Sequence, residues 1–383
     1  MKRFRSRIAV AFMGLALADV AKAEDVAVLT GANSARLGGE FKAEFVNDNQ
    51  GLYKHSGYSP GQVAAFQVTN AYLLLSGYIS PDTEYGFRFN LLSAGSSPLE
   101  FGSGTHWFTK SFGFSVGKER ILQGGWHHLN QGYRTHADGL YARNLAFSDY
   151  AAAWGLHLKF QGIVTLQLVN DVVQDPNDVL DTAVANRWNK DQHPAWILAW
   201  LGDFGLVKPL LIFGSYDNNR SRYVDVGLRT GLNGFNATLD YHNDRVSYRI
   251  PLGSEASRVD QKETDVKTSY TVNLSYELRN LVTPWVFYSY YDRKQASDPV
   301  AALSDRSFNL SKEVGSIPGG VGYTWDDNGT VWGLGVDVNV IGKNWNPFIA
   351  YTSTSGKFLK DPSATEGEMR SNALVKVGVL GTI

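Results

Sequence analysis

The sequence has no cysteine. Neither a disulfide framework nor a thiolate metal site is available to it, so the fold rests on hydrogen bonds and burial. An excess of positive charge is also missing. The 36 Lys and Arg residues stand against 37 Asp and Glu, a balance with no basic footprint for nucleic acid. Beyond the first residues there is no apolar run of the roughly 20 residues that a bilayer-spanning helix needs. The H-E-x-x-H metalloprotease pair and the G-x-x-x-x-G-K-[ST] phosphate loop are absent as well. A non-enzyme without a cofactor or a metal is therefore expected.

What is present begins with a leader. Lys2, Arg3, Arg5 and Arg7 precede an apolar stretch from Ile8 to Ala18, and Ala21-Lys22-Ala23 stands ahead of Glu24. A basic segment, an apolar core of about 7–15 residues and an A-x-A site specify secretory export. Residues 1–23 read as a signal peptide and 24–383 as the mature chain. Loss of Lys2, Arg3, Arg5, Arg7, Lys22 and Asp19 takes the formal charge from −1 to −5.

The mature chain alternates with period two. Ala373, Val375, Val377, Val379, Gly381 and Ile383 share one face, and Leu374, Lys376, Gly378, Leu380 and Thr382 the other. Leu37, Phe41, Ala43 and Phe45 alternate with Glu40, Lys42 and Glu44, and Phe235, Ala237, Leu239 and Tyr241 with Asn236, Thr238, Asp240 and His242. Such strands meet two different environments.

Their connections alternate in length. Tight links read Ser80-Pro81-Asp82-Thr83, Lys110-Ser111, Gln161-Gly162, Asp203-Phe204-Gly205, Gly231-Leu232-Asn233-Gly234, Leu278-Arg279-Asn280 and Gly342-Lys343-Asn344. Between them lie longer polar stretches near 47–65, 94–99, 121–149, 173–193, 245–263, 292–329 and 354–368, with one short link near Asp217–Ser221. Short periplasmic turns and longer external loops mark an outer-membrane barrel, whereas a soluble sandwich has no reason to alternate them. Seven turns and eight loops join sixteen strands, predicting an all-β, closed antiparallel transmembrane barrel with both chain ends on the periplasmic side. A hairpin at Asp326-Asp327-Asn328-Gly329 would raise the count to eighteen. In hydrocarbon an alternating sheet must close on itself to pair its backbone, and sixteen strands enclose a lumen that strand side chains alone do not fill.

Three stretches resemble the phosphate-selective porin group (porins O and P) of Gram-negative outer membranes. They are Asn70–Phe89, with its strand, tight turn and returning strand; Phe114-Ser115-Val116-Gly117-Lys118-Glu119-Arg120; and the C-terminal strand. The resemblance implies a sixteen-stranded homotrimeric channel whose third external loop folds inward. The chain ends in Ile383 where that group ends in an aromatic residue, and it has no regular lysine or arginine ladder. Phosphate selectivity is therefore not carried over.

The loop 121–149 occupies the place of the constriction loop. It holds Gly124-Gly125-Trp126-His127-His128, Arg134, His136 and Arg143 against Asp138 and Asp149. Arg134 and Arg143 would carry fixed charge there, and His127, His128 and His136 would add charge as pH falls. Lumen-facing cations are expected at Lys42, Arg88, Lys159, Arg229 and Lys376, beside the inward Glu40, Glu44, His157, Asp225, Asp240, Glu277 and Asp337. For any single charge, pairing across the wall competes with a role in ion preference. The parity of Lys118 and Arg120 puts them on the apolar face.

Together these readings give an outer-membrane porin, a water-filled channel for inorganic ions and small hydrophilic solutes, leaning to anions and set in outer-membrane lipid. The alternative is a structural or surface-contact barrel that binds a partner through its external loops.

Overall fold

In the computed structural model the described residues are 26–27, 34–48, 64–92, 98–131, 152–160, 163–170, 194–216, 221–252, 259–279, 281–295, 324–339, 345–359 and 368–382. In chain order the strands are β1 (Val26–Ala27), β2 (Ser34–Asp48), β3 (Ala64–Ser80), β4 (Thr83–Asn90), β5 (Leu99–Trp107) and β6 (Phe112–Arg120). After the short helix α1 (Gly125–Gln131) come β7 (Ala152–Phe160), β8 (Val164–Val169), β9 (Ala195–Leu201), β10 (Val207–Tyr216) and β11 (Ser221–Leu232). The last six are β12 (Phe235–Leu252), β13 (Val259–Tyr276), β14 (Val282–Gln295), β15 (Thr324–Val338), β16 (Trp345–Leu359) and β17 (Glu368–Thr382).

Each strand from β2 to β17 pairs antiparallel with the next, and β17 returns to β2 through the register Val377↔Phe45. The result is a closed barrel of sixteen strands. The two-residue β1 pairs with β2 at Val26↔Leu37 and Ala27↔Arg36, just past the Thr382↔Glu40 contact where β17 stops. It fills the place beside β2 that β17 leaves open.

Turn chemistry sets the register. Asn233 and Gly234 both have positive φ, at 50° and 85°, and join the directly paired Leu232 and Phe235. A two-residue Asn-Gly loop with positive φ at both positions matches the twist of a hairpin. At the β9–β10 turn the Asp203 carboxylate accepts from the Gly205 amide at 3.0 Å and the Lys208 ammonium at 2.9 Å. The Lys208 hydrogen bond holds this carboxyl below its ordinary value. Its stabilisation is present above the unfolded carboxylate pKa and is lost as pH falls through the lower folded one. Because the pair is exposed, solvent screens it. Asp203→Asn should cost under about 0.5 kcal/mol at neutral pH and nothing in strong acid, read by thermal unfolding at the two pH values.

The external ends of several strands run further than the sequence suggests. Much of 245–263 is ladder, since β12 reaches Leu252 and β13 starts at Val259, and both ends of 292–329 and 354–368 are likewise strand. Cross-strand hydrogen bonds do not require an apolar face, so hydropathy alternation fades before the ladder does. The Asp326–Gly329 stretch is no hairpin: β15 passes through it with a register shift between Trp325 and Gly329. Sixteen strands, not eighteen, follow.

Candidate functional site: the inner wall and the inward segment

Parity fixes what faces inward. On β2, Glu40, Lys42, Glu44 and Val46 are buried while the residues between them are not. On β17 the inward set includes Leu374, Lys376 and Leu380, with Val375 and Val377 exposed on the other face. β6 behaves in the same way. Ser115, Gly117 and Glu119 are buried, and Lys118 and Arg120 fall on the outer parity. The Lys118 ammonium there donates to the Leu99 carbonyl at 3.0 Å.

Most expected lumen cations have carboxylate partners. The Arg88 guanidinium lies 2.8 Å from Glu100 and 3.6 Å from Glu40, and sits 3.6 Å above the Tyr72 ring. Lys42 is 3.4 Å from Glu44 and lies over the Phe348 ring. Lys159 is 3.2 Å from Glu119 and 3.4 Å from the Thr105 hydroxyl. Lys376 is buried on β17, and Arg229 is half-buried opposite Lys208. Of the other inward candidates, Asp337 is half-buried and Glu277 is exposed just beyond β13. Glu84 and Glu119 are inward carboxylates that the sequence reading misses. Strand parity alone would have found both.

The stretch Gly113-Phe114-Ser115-Val116-Gly117 has G-x-S-x-G spacing, which the sequence reading passes over. Its serine is mid-strand, not at a strand-to-helix elbow, and its hydroxyl donates to Glu119. His157 stands opposite Ser115 in the ladder, with Nδ1 3.7 Å from Glu119. No serine-to-histidine hydrogen bond joins them among the described contacts. The His242 Nδ1 bonds to Asp225.

After Arg120 the chain turns into the barrel. Gly124 and Gly125 take φ of 79° and 75°, a region open to glycine and strained for other residues, and α1 follows. Every described side chain from Ile121 to Leu129 is buried. Gln167 on β8 clamps the entry: its carbonyl oxygen accepts from the Leu122 amide, and its amide donates to the Arg120 carbonyl, each at 3.0 Å. The Tyr223 hydroxyl donates to the Leu122 carbonyl at 2.7 Å.

Two carboxylates on neighbouring strands hold the turn. Asp225 accepts from the Gly124 amide at 2.8 Å, and its other oxygen contacts His242. Asp240 accepts from the Trp126 amide at 2.7 Å and the His127 amide at 2.6 Å. These are first-turn amides of α1, which no residue within the helix can satisfy. Gly227, opposite Asp240 in the ladder, leaves the room: a Cβ there would come within 2.5 Å of Asp240 Oδ1 and 2.9 Å of Trp126 Cδ1.

Apolar burial completes the dock. Ile121, Leu122, Trp126 and Leu129 pack with Val169, Ala195, Ile197, Ala199, Leu201, Leu210 and Ile212, all inward on β8–β10. The Trp126 indole donates to the Lys208 carbonyl at 2.7 Å. β9 is apolar on both faces for this reason. Trp196, Leu198 and Trp200 face out, and their inward neighbours face the inserted segment. The His127 ring is buried and stacks on Phe287 at 4.7 Å. The side chain of His128 lies outside the described residues, as do Arg134, His136 and Arg143.

No family model matches the sequence, and no curated protein matches it either. Solved structures do match in shape. The outer membrane channel DcaP of Acinetobacter baumannii is 10% identical with a TM-score of 0.59, covering 94% of this chain and 100% of its own. An anion-selective porin from Comamonas acidovorans is 11% identical with a TM-score of 0.58, over 92% of this chain and 100% of its own. OmpT of Vibrio cholerae, outer-membrane expressed, is 10% identical with a TM-score of 0.58, over 93% and 100%. At such identity the likeness is one of fold, and it runs over nearly the whole chain: the protein folds as the same kind of closed antiparallel β-barrel as these channels and outer-membrane proteins.

Proposed function

We propose that this barrel is a passive, water-filled channel of a Gram-negative outer membrane, with no catalytic role, that admits inorganic ions and small hydrophilic solutes. The observation that carries the reading is the inserted segment. It covers the apolar inner face of β8–β10, while the inward faces of β2–β7 and β17 keep Glu40, Lys42, Glu44, Arg88, Lys159 and Lys376. An inner wall of this charge density has a use where water and ions pass it. Swelling of liposomes containing the purified protein, in sugars of increasing size, tests the reading. Small sugars should enter and large ones should be excluded; an equal failure of all sizes with a folded barrel would count against it.

The segment 121–149 is read as the constriction, with Arg134 and Arg143 as its fixed charges and His127, His128 and His136 adding charge on acidification, which gives the anion lean. His127 is buried and stacked on Phe287, which limits its contact with passing ions. Reversal potentials in a salt gradient should shift toward anions between neutral and mildly acid pH. The shift should vanish in a His127→Ala, His128→Ala, His136→Ala variant; an equal shift there would remove the histidines from the account. The mature chain is read as starting at Glu24 after signal-peptide cleavage. A homotrimer rests on the family resemblance, and a trimer form of OmpT of Vibrio cholerae supports it.

A second reading has one observation in its favour. β12 and β13 are 18 residues each, roughly 60 Å of strand at about 3.3 Å per residue, well beyond what the apolar band needs. Their outer parts form a surface for a partner. A barrel that serves only such contacts would not pass small sugars.

A further inference from the structure

On the outer face of β11 and β12, Arg222 and Arg245 stand directly opposite each other in the ladder. Both are exposed. Both lie on the outward parity, since Tyr223, Asp225, Asp240, His242 and Asp244 are the buried, inward residues around them. Like charges directly opposite on one face of a sheet repel and destabilise it. Among the described residues neither guanidinium has a hydrogen-bond or ion-pair partner. The nearest carboxylate on β12, Asp244, points inward and accepts from the Tyr216 hydroxyl at 2.8 Å. The outward residues beside the pair are Val224 and Asn243, the latter bonded to Thr268.

The height of the pair gives the repulsion a use. Arg222 lies ten residues along β11 from Leu232, which adjoins the Asn233-Gly234 periplasmic turn. At about 3.3 Å per residue and a tilt near 40°, that separates them by about 25 Å along the membrane normal, the height of a barrel's apolar band. The outward residues in between include Val226, Leu228 and Leu239, exposed by 45%, 44% and 52%. The arginines thus sit at the external headgroup level, above an apolar wall fit for acyl chains.

We infer that Arg222 and Arg245 form a binding site for the phosphate of an anionic lipid in the external leaflet. Two guanidinium forks converge on one phosphate, whose charge cancels their repulsion. The apolar strip below takes the chains, and this separates a lipid from free phosphate. The inference rests on the barrel sitting in a membrane as proposed above.

Native mass spectrometry of the full-length protein in detergent tests it, with dioleoyl phosphatidic acid and dioleoyl phosphatidylcholine at equal concentration. The parent should retain phosphatidic acid over phosphatidylcholine by about tenfold or more. An Arg222→Gln, Arg245→Gln variant should fall to within about twofold, while Lys110→Gln at the opposite rim should behave as the parent. Equal retention of the two lipids by the parent, or an undiminished preference in the double variant, overturns the site. Inorganic phosphate at tens of millimolar should leave the lipid bound, and its complete displacement would make this a free-anion site instead. Heat-modifiable migration verifies folding of the variants. The double variant should also conduct as the parent does, so loss of lipid preference with intact conductance isolates this inference from the channel reading.

Discussion

Replacing Asp240 by alanine should release the inserted segment and raise single-channel conductance, with noisier open states. The Asp240 carboxyl accepts two buried first-turn amides, and leaving a buried donor unsatisfied costs roughly 1–3 kcal/mol. Removing the acceptor strands both donors, so the docking equilibrium should shift by about thirtyfold or more. Protease should then cut within 121–149 faster while the barrel keeps its heat-modifiable migration, because the ladder does not depend on the segment. Asp240→Asn keeps one acceptor oxygen and should fall between. Gly227→Val leaves the carboxylate but crowds it from the facing strand, and should act in the same direction. Unchanged conductance and proteolysis in all three variants would show that the segment is held by something else.

Trp126→Ala should have an effect of similar size through a different force. The indole is 6% exposed, packs among the inward residues of β8–β10 and donates to the Lys208 carbonyl. Truncating a buried tryptophan costs about 3–5 kcal/mol. Both variants act on one docking event, so the double variant Asp240→Ala, Trp126→Ala should lose less than the two single losses together. Once the segment is free, little remains to be lost. The same cycle run on protease susceptibility checks this, and strict additivity would mean that the residues serve separate structures.

The barrel was legible because its signals are local. Period-two alternation and turn chemistry at Asn233-Gly234 are read within a dozen residues, and they yield the strand count and the inward parity of Lys42, Lys159 and Lys376. The dock was not legible in the same way. Its hydrogen bonds join Gly124 to Asp225 and Trp126 to Asp240, 101 and 114 residues apart, and no pattern within either segment names its partner. Traces of it do stand in the sequence: paired glycines after a strand, two carboxylates at inward positions on neighbouring strands, and a strand, Ala195–Leu201, apolar on the side where a lumen should be polar. Charge pairing on the wall has the same limit. Parity turns Arg88 inward, but only the register across β2–β5 brings Glu40 and Glu100 to it.

A barrel open to water and narrowed by the docked segment should conduct. Single-channel recording of the purified protein in planar bilayers tests it most directly, with the parent compared against Asp240→Ala at the same salt concentration. Discrete, ohmic conductance steps are expected in the parent and larger, noisier steps in the variant. A folded parent that inserts and never conducts, alongside a variant that does not conduct either, would contradict it and leave a closed barrel working through its external surface.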